Sequence, residues 1–170
     1  MPQPPEFDGN AILAVLARHK VACVVIGNYA GLLRGVNLAT EDVDITPATT
    51  AENLERLAID LAELGAAIRV PSEPPVPLPP DARLLAKAEI WNLTTRYGNL
   101  DITNRPSGTD GYDDLHRNAD PQLVATGLRI EVAALEDVIR SKTAAGRAKD
   151  LAALPQLRAA LERQRDAADT

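Results

Sequence analysis

Residues 21–27 (VACVVIG) form a short β-branched apolar run that stops at Gly27-Asn28, and after a spacer of thirteen residues Asp42-Val43-Asp44-Ile45 alternates acid with apolar side chain. The first run has the length and composition of a buried strand. The second has the period of two that puts Val43 and Ile45 on one face of a strand over 40–46 and leaves Asp42 and Asp44 together on the other. Between them the spacing predicts a short helix, Tyr29–Arg34, so that Gly27 closes a strand and opens a helix. Backbone amides are unpaired at such a point, and a glycine lets a ligand approach them closely.

Helical periodicity surrounds this core. AILAVLAR at 11–18 predicts an opening helix. Thr49 and Glu52 have the spacing of a capping box, and Leu54, Leu57, Ala58, Leu61 and Leu64 make one apolar stripe, so a helix is expected over 50–64, ended by Gly65. The segment 71–80, PSEPPVPLPP, holds six prolines in ten residues and predicts an extended surface loop that joins neither sheet nor helix. Two hairpins should follow, one over 88–103 around RYGN and one over 122–132 around Thr126-Gly127. From 134 to 166 the chain is expected to be helical, broken at Gly146 and bent or interrupted at Pro155. The expectation is a single α+β domain over 1–170, a mixed sheet with flanking helices and a helical C-terminal end.

Composition narrows the chemistry. One cysteine, Cys23, rules out an internal disulfide, and His19 and His116 with one thiol cannot build a structural zinc site, so any metal is expected on oxygen ligands; His19, ending the opening helix, is expected at the surface and His116, in DDLHRN, in a loop. Five aromatic residues are too few for a base-stacking platform. A net charge of −6 argues against wrapping nucleic acid. There is no apolar stretch of membrane-spanning length and no signal-like start, which predicts a cytoplasmic protein without a membrane partner.

Asp42 and Asp44 repel one another unless water or a divalent cation lies between them, and hard oxygen ligands suit Mg²⁺ or Mn²⁺. Asp101, within Asn99-Leu100-Asp101-Ile102, is a third acid between apolar neighbours on what should be an adjacent strand. In the tail, Lys142 falls on the same helical stripe as Leu135, Val138 and Ile139, and Asp150 begins the stripe continued by Leu154, Leu157 and Leu161. Inward-facing charges need partners, which predicts a Lys142–Asp150 ion pair, compatible with Lys142 also reaching phosphate.

Apolar-Gly27-Asn28, the spacer, Asp42-Val43-Asp44 and the later Asp101 resemble the signature of the polymerase-beta-like nucleotidyltransferase superfamily. Lys142 followed by Arg147-Ala148-Lys149-Asp150-Leu151 is similar to the tail motif of the small AbiEii-type toxins, to which the MenT-type toxins belong. Asn28, where that pattern has Gly or Ser, and Ala153, where Asp is frequent, depart from it. The resemblance implies a metal-dependent enzyme that moves a nucleoside monophosphate from an NTP to an acceptor hydroxyl. It implies Asp42, Asp44 and Asp101 as metal ligands, Gly27, Asn28, Lys142 and Asp150 on the nucleotide, and Arg34, Arg147 and Lys149 as acceptor-binding candidates. A toxin would act on tRNA and have an antitoxin partner. The alternatives are a small-molecule or protein acceptor, and a degenerate module that binds without catalysis.

Overall fold

The computed structural model describes residues 3–170. Its chain order is α1 (Gly9–Arg18), β1 (Cys23–Ile26), α2 (Gly27–Leu33), β2 (Asp42–Pro47), α3 (Ala51–Glu63), β3 (Ala67–Ile68), β4 (Val76–Pro77), α4 (Ala82–Leu85), β5 (Ile90–Thr95), β6 (Gly98–Thr103), α5 (Tyr112–His116), β7 (Asp120–Ala125), β8 (Leu128–Val132), α6 (Leu135–Ala145) and α7 (Ala148–Ala168). The strands make one sheet in the order β4-β3-β5-β6-β2-β1-β8-β7. Two pairings are parallel, β2 with β6 and β1 with β8, and the rest are antiparallel. The result is the expected mixed sheet with flanking helices.

Alternation along the strands sorts the two faces. Every residue of β1 is buried, as its uniform apolar composition requires of a strand covered on both sides. On β2 and β6, Val43, Ile45, Leu100 and Ile102 enter the core, and Leu93 on β5 pairs with Leu100. α1 packs against β2, β7, β8 and α3. The acids of β2 and β6 are therefore displayed on the opposite face.

Four local expectations are corrected. The cap of α3 is Thr50, whose hydroxyl accepts from the Asn53 amide, rather than Thr49; Glu52 sits inside the first turn and pairs with Arg56 at 2.6 Å. The proline segment does join the sheet: Val76 and Pro77 pair with Ile68 and Ala67 at its outer edge. An edge strand needs only half its amides, so proline is tolerated there. His116 is not in a loop but ends α5, stacked on Tyr112 with ring centroids 5.1 Å apart. α7 is not interrupted at Pro155; both Pro155 and Leu151, whose carbonyl loses its usual donor, are exposed, which leaves that carbonyl open to solvent. Among the described residues no helix is long and apolar enough to cross a membrane.

The tail is fastened to the site by close packing. A Cβ on Gly31 of α2 would lie 2.9 Å from Leu38 Cδ1 and 3.1 Å from Leu157 Cδ2. Leu157 is fully buried. Leu157→Ala is expected to cost about 3–5 kcal/mol, because a cavity at a glycine contact cannot collapse easily. Chemical denaturation should show this as a lower midpoint at unchanged slope.

Candidate active site

Sheet register brings the acids together. Asp44 lies opposite Ile26 on one side and opposite Asp101 on the other, while Asp42 lies opposite Asn99. Partners directly opposite share a face, so Asp42, Asp44 and Asp101 belong to one surface. Asn92 of β5 lies opposite Asp101 and extends the row. The row lines a cavity of about 440 Å³, closed on the other side by α6 and the start of α7.

Gly27 stands where β1 enters this cavity. Its φ is +69°, and a Cβ there would lie 2.4 Å from Asp44 Oδ2. Both the left-handed backbone and the close approach demand glycine. Asn28 follows; its amide nitrogen donates to the Ala39 carbonyl at 3.3 Å, but its buried Oδ1 has no hydrogen-bond partner.

The three aspartates differ in environment. Asp44 is pushed up to about 7 by burial and by the charges of Asp42 and Asp101, against the opposing pull of Lys142 and Lys149. Asp42 accepts from the Thr40 hydroxyl at 3.2 Å. Asp101 is raised by burial, partly offset by Arg69, whose Nη2 donates to Oδ1 at 2.9 Å while Nη1 donates to the Leu93 carbonyl. The ligand atoms of the three do not all lie within 4.8 Å of one another. Three unneutralised anions repel, and Arg69 holds one of them.

Arg69 was not marked by the sequence. It lies just before the proline segment with no periodicity or motif around it, and only the β3–β5 pairing brings it to Asp101. Arg69→Gln is expected to lower stability by about 1–2 kcal/mol, since a partly buried carboxylate loses its charged donor. NMR titration should show Asp101 moving further above its ordinary range.

The tail residues are divided by the structure. Lys142 Nζ lies 3.5 Å from Asp150 Oδ1, both groups buried, so the expected ion pair forms across the Gly146 break. Arg147 adds a 2.7 Å bond from Nε to Asp150 Oδ2. Burial would raise Asp150, but the Arg147 bond and the Lys142 charge outweigh it and hold it below the usual carboxylate range. Lys142, Arg147, Lys149 and Asp150 all line the cavity, and Lys149 is exposed there. Arg140, also on α6, is bound to Asp114 and Asp137.

Arg34 is not brought to this cavity. Its Nε donates to the Ala133 carbonyl at 2.7 Å, and Nη2 donates to the Val132 carbonyl and the Asp120 carboxylate. Its Nε and Nη2 fasten α2 to the end of β8 and to β7. A second departure concerns metal ligands. The sequence reading confined metals to oxygen and left His19 on the surface, yet His19, Asp60 and Glu63 bring one ligand atom each within 4.8 Å of the others. They lie outside the cavity.

The sequence matches no protein-family model and no curated protein. Among solved structures the chain is similar to one from Thermotoga maritima described as a "putative nucleotidyltransferase", at a TM-score of 0.52 and 20% identity, over 85% of this chain and 86% of that one. At that identity the likeness speaks for the fold. The backbone arrangement that carries Gly27, the row of aspartates and the Lys142 helix is thus that of a nucleotidyltransferase fold.

Proposed function

We propose that this chain is a nucleotidyltransferase that moves a nucleoside monophosphate from an NTP to an acceptor hydroxyl, using Mg²⁺ or Mn²⁺ held by Asp42, Asp44 and Asp101. The observation that carries this reading is the placement of Asp44 between Gly27 and Asp101, a carboxylate pressed against a left-handed glycine and a second acid. The donor set fits the metal. It consists of hard oxygens, and burial among like charges gives Asp44 a proton that a divalent cation would replace. Asn28 lines the same wall beside Gly27.

When bound, the cation would neutralise phosphate oxygens and polarise the reacting groups. The chain's own groups supply position and charge. The backbone at Gly27-Asn28 and the Lys142 ammonium would grip the phosphates, with Asp150 orienting Lys142. The transfer forms a bond from the acceptor oxygen to the α-phosphorus and breaks the bond to the bridging oxygen, which leaves with pyrophosphate. Asp101 would take the acceptor proton; Arg69 engages only one of its oxygens. Arg147 and Lys149 stand at the cavity as acceptor-binding groups.

The overall charge of −6 favours a small hydroxylated molecule or a protein side chain as acceptor over a long nucleic acid. A tRNA acceptor and a neutralising antitoxin belong to the toxin version of the same activity. Incubation with each labelled NTP, Mg²⁺, total tRNA and a cell extract separates them. Label on protein or small molecules is expected, label on RNA would establish the tRNA version, and absence of any nucleotide binding would leave a binding module without catalysis.

A further inference from the structure

A second cluster lies between α1 and α3, outside the cavity. His19 follows the last residue of α1, and Asp60 and Glu63 sit three residues apart at the end of α3, on one side of the helix. His19 Nδ1 is in hydrogen-bond contact with Asp60 Oδ1 and lies 3.5 Å from Glu63 Oε2. Asp60 is completely buried. Its other oxygen, Oδ2, has no hydrogen-bond partner. A carboxylate oxygen shut away from water without a donor is costly, and the one imidazole nitrogen in contact already serves Oδ1.

We propose that His19, Asp60 and Glu63 bind a divalent transition-metal ion of the Zn²⁺ class. A cation bound among these residues would compensate the buried Asp60 carboxylate, one oxygen of which has no donor. An imidazole with two carboxylates selects Zn²⁺, Co²⁺ or Mn²⁺ over Mg²⁺ or Ca²⁺, which prefer oxygen alone. The His19 and Glu63 side chains are 38% and 42% exposed, so the ion has a path from solvent and room for water ligands. Glu63 meets Arg18 through its other oxygen, Oε1, at 3.6 Å, so that pair does not have to break. The neighbouring thiol of Cys23 is not counted as a ligand: burial, with the charges of Asp60 and Glu131, pushes it up to about 12. The ion would pin the end of α1 to the end of α3 and act as a structural clip remote from the aspartate row.

The test uses the full chain carrying Asp42→Asn, Asp44→Asn and Asp101→Asn, so that the row of cavity aspartates does not contribute, stripped with EDTA and titrated with ZnCl₂ or CoCl₂. Zn²⁺ at a hundredfold excess over its Kd is expected to raise the Tm by about 5–10 °C. Co²⁺ should give visible absorption bands indicating a nitrogen ligand. His19→Ala and Glu63→Gln should each weaken Zn²⁺ binding at least tenfold, by about 1.4 kcal/mol or more. Glu63 is exposed, so its amide variant keeps the fold. Absence of a Zn²⁺-dependent shift in the parent would overturn the proposal, as would an equal shift in the His19→Ala and Glu63→Gln chains. Neither readout depends on nucleotidyl transfer.

Discussion

Asp44→Asn is expected to abolish nucleotidyl transfer, by about 10³-fold or more, and at the same time to make the metal-free protein more stable. The two effects have one cause. Burial and the charges of Asp42 and Asp101 hold the Asp44 carboxyl well above its ordinary value of 3.8, up to about 7. Between those values the folded chain keeps a proton that the unfolded chain has released. The stability that Asp44 contributes is therefore full below about pH 4 and is lost as the pH rises through 7. Asparagine never ionises and escapes that loss. At pH 8 the variant should gain about 1–2 kcal/mol, allowing for water at the cavity mouth, or about 2–8 °C in Tm. Thermal melts at pH 5 and pH 8 check this, since the gain should fall to less than half at the lower pH and vanish only below about pH 4. The same logic requires Mg²⁺ binding to the wild-type chain to release protons and to tighten between pH 6 and pH 8. A variant that keeps full activity would remove Asp44 from the chemistry.

Gly27→Ala is expected to reduce transfer by about 10²-fold or more and to destabilise the fold by about 1–3 kcal/mol. Two costs coincide at this residue. Its φ of +69° lies in the left-handed region, and the added methyl would meet Asp44 Oδ2 at 2.4 Å, forcing the carboxylate out of place. Gly127 separates the two costs. Its φ is +73°, but nothing lies within 4 Å of where its Cβ would be. Gly127→Ala should therefore incur a similar backbone penalty with activity intact. Steady-state transfer assays paired with denaturant melts on both variants make the comparison. If both lose activity equally, the close approach of Gly27 to Asp44 has no functional weight.

The pattern of the chain marked the elements that carry the candidate site because each is a local signal. Period-two alternation placed Val43 and Ile45 inward and Asp42 and Asp44 outward, and the observed burial follows it. The apolar run ending at Gly27 became a strand that passes directly into a helix. The stripes of α6 and α7 put Lys142 and Asp150 inward, where they pair. Where local rules failed, a partner distant in sequence had decided the matter. Pro77 joins the sheet because Ala67 offers an edge, and Arg34 serves carbonyls near 132 because β8 lies beside β1.

Short-range periodicity assigns the acids, the glycine and the inward-facing side chains to their elements, since helix and strand periods act over a few residues. Which of them meet is set by long-range packing. The parallel register of β2 with β6 set Asp44 opposite Asp101, the β3–β5 pairing brought Arg69 to the same carboxylate, and the packing of α1 beside α3 put His19 on a buried Asp60. Register and helix docking are chosen by the burial of the whole core, a property of contacts far apart along the chain, and no window of residues contains it.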